Sequence, residues 1–164
     1  MKKSWSIHID KDYLKFSAAH FLIFQDGSAE RLHGHNYKVF IDLENELDQH
    51  GLVLNFREVK PLVRELVDEL DEHLLIPGQH PVLTYRDLGA GSTEIRYQER
   101  RYLVPTAEVL VLPISNTSAE NLAAWLADSL LIRLGDKYPG LVPALLRVGV
   151  EETPGQRGVV EVRP

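Results

Sequence analysis

Alternating apolar and polar positions near the start of the chain predict two β-strands. The first is expected over Trp5–Phe16, where the alternation is loose, and the second over Tyr37–Leu43, where it is clean. The segment between them, SAAHFLIFQDGSAERLHGH, is expected to form either a long connection or a strand, a loop and a strand. Leu47–Gly51 (LDQHG) predicts a turn.

The segment Asn55–Leu74 predicts the first helix, because its apolar residues recur three and four positions apart. Asn55 followed by Glu58 is typical of a capping box, which satisfies free N–H groups at a helix start. Pro61 removes one backbone donor, so a kink or a restart is expected near the first turns. His73 is placed at the C-terminal end of this helix, where a cation is favourable.

A second helix is predicted over Asn116–Gly135, with Thr117 and Glu120 as its capping box and its last glycine as its end. Two strands are expected to follow it. They are Leu145–Thr153 (LLRVGVEET) and Gly158–Arg163 (GVVEVR).

Short β-rich runs occupy residues 81–113, between the two predicted helices. VLTYRDL, GAGS and TEIRYQERRYLV predict an extra β-hairpin, and AEVLVLP predicts another strand. The predicted order is therefore strand, strand, helix, hairpin, helix, strand, strand. This order is typical of one α+β domain, residues 1–164, with a largely antiparallel sheet.

The composition is that of a globular protein and excludes several classes of function. The chain has no cysteine, which rules out disulfides, thiolate nucleophiles and sulfur ligands, so any metal must bind to His or carboxylate side chains. A formal charge of −6 argues against nucleic acid as the main partner. No apolar run is long enough for a membrane helix, and none follows the first lysines as it would in a signal peptide. We therefore expect a cytoplasmic protein without a membrane partner.

Histidines in the segment between the two predicted strands are the strongest sign of chemistry. His33 and His35 lie two positions apart, so in an extended segment both side chains point to one side, and Gly34 between them lets another group approach. His20 is a third candidate ligand, and three protein ligands with one open position are typical of catalytic zinc. A His-x-His pair also recurs by chance on protein surfaces, so the residues alone leave both interpretations open.

Six short motifs, taken in their order, resemble the 6-pyruvoyl-tetrahydropterin synthase family, which includes the 6-carboxytetrahydropterin synthases of queuosine synthesis. They cover most of the chain and leave residues 77–112 outside as an enlarged insertion. The combination of F-x-A-A-H with H-G-H-N-Y is the specific part. The motifs are FSAAH (Phe16–His20), HGHNYKV (His33–Val39), LNFREVK (Leu54–Lys60), ELDEH (Glu69–His73), TSAENLAAW (Thr117–Trp125) and VEET (Val150–Thr153).

The resemblance implies a tunnelling fold, in which a four-stranded antiparallel sheet carries two helices on one face, here with an inserted β-hairpin. Subunits of that fold join strand to strand, typically into a hexamer of two stacked trimers, so we expect a homo-oligomer with a multiple of three chains. The resemblance also implies a zinc ion held by His20, His33 and His35. The implied substrate is a small pterin, 7,8-dihydroneopterin triphosphate, whose amino and ring N–H groups are held by Glu152.

The catalytic residues that the resemblance implies match this sequence only in part. The family's usual cysteine falls at Ala29, and the next residue, Glu30, resembles the family variant in which glutamate takes that role. The family's Asp–His proton relay falls on Asp71 and His73, but Glu72 stands between them. Either His73 or Glu72 therefore completes the pair, and we favour His73.

The expected activity, which the glutamate variant implies, is zinc-dependent cleavage of the side chain of 7,8-dihydroneopterin triphosphate to 6-hydroxymethyl-7,8-dihydropterin. Two alternatives stay open. One is a 6-carboxy- or 6-pyruvoyl-tetrahydropterin synthase, and the other is an inactive module that binds zinc and pterin. The carboxylate at Glu30 argues against the inactive module, which would have no need of it.

Overall fold

Nine strands and two helices are present in the computed structural model, which describes residues 3–164. The first two positions of the predicted domain lie outside the described residues. Neither of these helices is long and apolar enough to cross a membrane. In chain order the elements are β1 (Trp5–His20), β2 (His33–Asn45), α1 (Phe56–Leu70), β3 (His73–Pro77), β4 (Thr84–Asp87), β5 (Ser92–Tyr97), β6 (Arg100–Pro105), β7 (Val109–Leu112), α2 (Ala119–Lys137), β8 (Leu145–Thr153) and β9 (Gln156–Val162).

The main sheet has six strands in the order β7-β3-β1-β2-β8-β9. Four of them, β1, β2, β8 and β9, are joined by antiparallel pairing, as predicted. The prediction of a four-stranded sheet was nevertheless wrong, because β3 and β7 extend the sheet beside β1 and run parallel to their neighbours. Both are short apolar runs, whose pairing partner depends on tertiary packing rather than on alternation.

One face of the main sheet carries the core. In the regular parts of β1 and β2 every second side chain is buried, and these side chains pack with apolar residues of both helices in one cluster. The two helices therefore cover the same face, and the α+β class is confirmed. Members of this cluster include Phe16, Tyr37, Val39, Val63, Leu126 and Val148.

Both N-terminal strands are longer than the alternation predicted. β1 continues beyond Phe16 to His20, and β2 begins at His33 rather than at Tyr37. The alternation is less clear in these segments, but backbone pairing of His20 with His33 completes the ladder between the strands. The candidate ligands consequently lie on strands of the main sheet, which confirms the second alternative for this segment, a strand, a loop and a strand.

Helix α1 begins where predicted and ends earlier. Asn55 is its N-cap, and its side chain accepts a hydrogen bond from a backbone N–H two residues on. The helix stops at Leu70, because Glu72 has a left-handed backbone angle (φ +57°) and donates its N–H to the carbonyl oxygen of Ser17. His73 is therefore the first residue of β3 and not a cation at a helix end.

Helix α2 differs from its prediction at both ends. Its N-cap is Ser118 rather than Thr117, and the Ser118 hydroxyl accepts a hydrogen bond from the N–H of Asn121. Thr117 is fully buried, and its carbonyl oxygen lies against His20 instead. The helix continues past Gly135, so a glycine near its end does not stop it.

The insertion forms a three-stranded antiparallel sheet of β4, β5 and β6, called the small sheet below, and not the predicted hairpin. A turn at Gln98 and Glu99 divides TEIRYQERRYLV into two strands. β7, which the sequence placed inside the insertion (77–112), belongs to the main sheet. The small sheet packs against the rest of the chain through a second apolar cluster that includes Phe21, Ile23, Ile76, Ile95 and Tyr97.

Candidate metal and catalytic site

The candidate site continues the buried face of the main sheet beyond its apolar core. On β2 the residues that share this face run from Val39 through Tyr37 to His35 and His33, and β1 reaches the same end at His20. His20 and His33 pair directly across the two strands. Because side chains on one face repeat every second residue, the imidazoles converge at one end of the sheet.

Four side chains form the histidine cluster: His20, His33, His35 and Glu152, whose potential ligand atoms all lie within 4.8 Å of one another. The ring centroids are 4.7 Å apart for His33 and His35, and they lie 4.9 and 5.3 Å from that of His20. Glu152 is on β8, and its Oε1 lies 2.8 Å from His35 Nε2 and 3.3 Å from His20 Nε2. The structure thus brings together the three predicted zinc ligands and the predicted pterin-binding carboxylate.

Backbone carbonyl groups orient two of the three imidazoles. His20 Nδ1 lies 2.9 Å from the carbonyl oxygen of Thr117, and His33 Nδ1 lies 2.7 Å from that of Arg31. A carbonyl oxygen can only accept, so in both rings Nδ1 carries the proton and Nε2 carries the lone pair. Histidines that bind metals in proteins are commonly oriented in this way.

The third imidazole and the donor set fit a metal ion. His35 Nε2 is buried and forms no hydrogen bond among the described residues, although Glu152 Oε1 lies 2.8 Å from it. Burial lowers the pKa of His20, which favours the neutral imidazole that binds metals. Imidazole nitrogens and a carboxylate oxygen are ligands that zinc prefers. These residues therefore fit a zinc site.

Tyr37 lies against the histidine cluster, and the sequence did not single it out as a site residue. Its hydroxyl is 3.1 Å from His20 Nε2, and its ring stacks on Phe16 with 4.7 Å between centroids. Burial, followed by the charges of Glu152 and Glu30, raises the pKa of the Tyr37 phenol. The hydroxyl therefore stays neutral and can donate a hydrogen bond at the base of the site.

Glu30 stands beside the histidine cluster on the loop between β1 and β2. Its Oε2 accepts a 3.1 Å hydrogen bond from the N–H of Leu22 and lies 3.7 Å from His33 Nε2. Its own N–H donates to the carbonyl oxygen of Leu22. Ala29, which the motif resemblance aligned with a cysteine, forms a backbone bridge with Ile23. Glu30, and not position 29, therefore places a carboxylate beside His33.

Asp71 and His73, the predicted relay residues, lie at the end of α1 and the start of β3, and their pairing stays a prediction. Asp71 Oδ1 accepts a 2.7 Å hydrogen bond from the N–H of Ser17, and no described contact joins Asp71 to His73 or either residue to the histidine cluster. Glu72 and His73 line, together with His35, a cavity of about 570 Å³. The choice between Glu72 and His73 stays a prediction.

Comparison with known proteins identifies the family. The family model described as 6-pyruvoyl tetrahydropterin synthase matches residues 8–162. The chain belongs to this family. A 6-carboxy-5,6,7,8-tetrahydropterin synthase from Bacillus subtilis is 31% identical over 154 residues, which are 92% of this chain and 82% of that protein. A Methanocaldococcus jannaschii protein provisionally given the same name is 34% identical over 122 residues, 74% of each chain.

Solved structures of the family share the whole fold. The crystal structure of 6-pyruvoyl tetrahydropterin synthase from Plasmodium vivax has a TM-score of 0.91 and 25% identity, and the match covers 99% of this chain and 100% of that one. Two variants of the P. vivax protein, with alanine or cysteine in place of a glutamate described as a catalytic residue, match over the same lengths at 25% identity with TM-scores of 0.87 and 0.88. A match of this extent includes the insertion.

The sequence analysis did not identify the groups that contact the candidate histidines and the backbone around Glu30. Thr117 and Arg31 act through backbone carbonyl groups, which every residue has, so no side-chain pattern reveals them. Arg100 of β6 donates to backbone carbonyls beside Glu30, but it lies in the insertion, where no motif was found. Tyr37 could have been found, because it is the next residue on the face that carries His33 and His35.

Proposed function

We propose that this protein is a zinc-dependent enzyme that cleaves the side chain of 7,8-dihydroneopterin triphosphate to 6-hydroxymethyl-7,8-dihydropterin. The observation that carries the proposal is the position of Glu30, whose carboxylate lies 3.7 Å from an imidazole of a cluster that fits zinc. The chain has no thiol that could take its place. The P. vivax relative supports the assignment, because its catalytic residue is described as a glutamate.

In this proposal His20, His33 and His35 hold the zinc ion, and Glu152 holds the pterin. When bound, zinc supplies Lewis-acid chemistry that lowers the pKa of the substrate's side-chain hydroxyl groups. The Glu152 carboxylate can accept two parallel hydrogen bonds, from the pterin amino group and the neighbouring ring N–H. Its side chain is 22% exposed, so a ligand can reach it.

Glu30 is proposed as both the base and the acid of a retro-aldol cleavage. Its carboxylate takes the proton of the C2′ hydroxyl, C2′ becomes an aldehyde carbon, and the bond between C1′ and C2′ breaks. The bonding electrons pass to C1′, where the adjacent pterin ring stabilises them, and the proton on Glu30 is then transferred to C1′. The products are 6-hydroxymethyl-7,8-dihydropterin and a two-carbon aldehyde that keeps the triphosphate, so the step needs no oxidant.

A second candidate is the 6-carboxy- or 6-pyruvoyl-tetrahydropterin synthase reaction. The names of the B. subtilis relative and of the P. vivax structure favour it. Both of these products have lost the triphosphate, whereas retro-aldol cleavage leaves it on the two-carbon fragment. Release of triphosphate therefore distinguishes the two candidates.

A product analysis tests the proposal. The purified, zinc-loaded protein is incubated with 7,8-dihydroneopterin triphosphate, and the products are identified. We expect 6-hydroxymethyl-7,8-dihydropterin in equal amount with a phosphorylated two-carbon aldehyde, and no free triphosphate. Free triphosphate together with a 6-carboxy or 6-pyruvoyl pterin would establish the second candidate instead. If the substrate is bound but not consumed, the protein is a module that binds zinc and pterin without turnover.

A further inference from the structure

The turn between β5 and β6 contacts the loop that carries Glu30. The Tyr97 hydroxyl donates a 2.8 Å hydrogen bond to the carbonyl oxygen of Gly27, and Gln98 Nε2 donates one of 2.9 Å to the same oxygen. Gln98 has a left-handed backbone angle (φ +51°), which few residues other than glycine adopt. Such strain persists where surrounding contacts impose it, and it clusters at functional sites.

Arg100 makes a second contact with this loop, and it binds the backbone on both sides of Glu30. Its guanidinium donates to the carbonyl oxygen of Ala29 at 2.7 Å and to that of Glu30. These two carbonyls belong to the peptide groups that flank the Glu30 Cα atom. Hydrogen bonds from a charged donor are stronger than neutral ones, so Arg100 fixes the direction in which the Glu30 side chain leaves the backbone.

Arg101 is adjacent in sequence, but its side chain lies on the opposite face of the small sheet. Its Nε lies 2.6 Å from Glu94 Oε1, and it makes no described contact with the Glu30 loop. Arg100, in contrast, forms no ion pair with a carboxylate in the part of the chain that the structure describes. Among the described contacts, the Arg100 guanidinium thus binds only backbone carbonyl groups of the loop that carries Glu30.

The segment between Phe21 and Ile23 holds the Glu30 carboxylate from the other side. The N–H of Leu22 donates to Glu30 Oε2. Phe21 and Ile23 pack against the inner face of the small sheet in the second apolar cluster. The small sheet therefore contacts both the backbone that carries Glu30 and the segment that receives its carboxylate.

We propose that the small sheet positions the catalytic carboxylate, with Arg100 as its main positioning residue. This inference rests on the proposed function, because it takes Glu30 as the acid and base. A proton-transferring group must be held closely in place, since a displacement of about 1 Å can reduce the rate about 100-fold. The insertion is thereby part of the active-site architecture and not a surface decoration.

Amide hydrogen exchange of the zinc-loaded protein tests the structural half of this proposal. Arg100→Gln and Arg101→Gln are a matched pair, because each removes one positive charge from neighbouring positions of β6. The amides of Phe24 and Glu30 are bonded within the loop, so they should exchange about tenfold faster in Arg100→Gln and at the wild-type rate in Arg101→Gln. Unchanged exchange in Arg100→Gln would overturn the proposal, whatever reaction the protein catalyses.

Steady-state kinetics test the functional half of this proposal, namely that Arg100 positions Glu30 for catalysis. Arg100→Gln should lower kcat about 10- to 100-fold, with KM changed less than about threefold and zinc content unchanged. Arg100→Lys should recover part of the loss, because one ammonium group can still reach a carbonyl oxygen. A raised KM at unchanged kcat would overturn the proposal by showing that Arg100 binds substrate. If Glu30→Gln loses activity while Arg100→Gln loses none, the positioning role fails and the proposed function stands.

Discussion

The three imidazoles of the histidine cluster differ in the contacts that orient them. His20 and His33 are oriented through Nδ1 by backbone carbonyl oxygens, whereas His35 has a buried Nε2 without a hydrogen-bond partner among the described residues. Buried polar atoms in proteins normally have partners, and an unpartnered one is unfavourable. A cation bound among the three ring nitrogens would give His35 Nε2 a partner.

Replacing His33 by alanine should remove bound zinc and leave the fold intact. The His33 side chain is 35% exposed, so its loss opens no large internal cavity. We expect elemental analysis to find about one zinc per chain in the wild type and less than about 0.1 in the variant. His8→Ala is the control, because His8 lies on the same sheet but bonds to Ser6 and Asp42. Full zinc content in His33→Ala would exclude His33 as a ligand.

Residue spacing predicted the histidines that converge but not the groups that orient them. His33 and His35 share a face by strand periodicity, which a sequence shows directly. The carbonyl of Thr117 reaches His20 from 97 positions away, and such a contact depends on the packing of α2 rather than on any local pattern. The same reason hid Arg100, which contacts the backbone at Glu30 from 70 positions away.

Among the elements, β3 was not predicted from sequence, and β7 was predicted as a strand but not as part of the main sheet. Each is a short, largely apolar run with no clear alternation of buried and exposed positions. Their parallel pairing with β1 and with each other is decided by the packed molecule. In contrast, α1, α2 and the long strands were predicted, and so were the start of α1 and both ends of β8, whereas other ends were not. Element ends depend on distant contacts, as when Glu72 bonds to Ser17 and ends α1.

Glu94 should make the small sheet sensitive to acid. Its side chain is 5% exposed and its carboxylate bonds to Arg96 and Arg101. Hydrogen bonds from Arg96 and then Arg101 lower the pKa of Glu94 from 4.5 to about 2. A depressed pKa in the folded state means that Glu94 stabilises the fold fully above about pH 4.5 and progressively less as the pH falls toward about 2.

Thermal unfolding of the wild type and of Glu94→Gln across pH measures this effect. The wild type should have the higher Tm at neutral pH, and the difference should shrink as the pH falls below about 4.5. Glu99→Gln is the control, because Glu99 is exposed on the turn of the same small sheet and has no described ion pair. A Tm difference that does not change with pH would contradict the role of Glu94.

For the whole molecule, the main sheet leaves two strands, β7 and β9, at its edges in the described chain. Open edges pair with other strands unless they are covered. The tunnelling fold that the motifs imply covers them with neighbouring subunits, and we therefore predict a native mass that is a multiple of three chains. Light scattering on the zinc-loaded protein measures this mass. A stable monomer at low micromolar concentration would contradict the prediction.

The order of elements was enough to predict the α+β class, because that order constrains how layers can pack. The place of the insertion was not predictable, since it depends on an apolar cluster shared by residues from distant parts of the chain. The sequence marked residues 77–112 only as additional to the family motifs. In the folded molecule the small sheet lies next to the Glu30 loop, which is why it enters the account of the active site.

Turnover by zinc-loaded Glu30→Gln tests the central claim most directly, namely that a carboxylate beside the histidine cluster transfers the proton. Glutamine keeps the size of the side chain and removes the proton acceptor. Turnover of 7,8-dihydroneopterin triphosphate should fall about 100-fold or more, the range that general acid–base catalysis supplies, while zinc content stays unchanged. Glu46→Gln, an exposed position just beyond the far end of β2, should keep the wild-type rate. A wild-type rate in Glu30→Gln would contradict the account and assign the base to another residue.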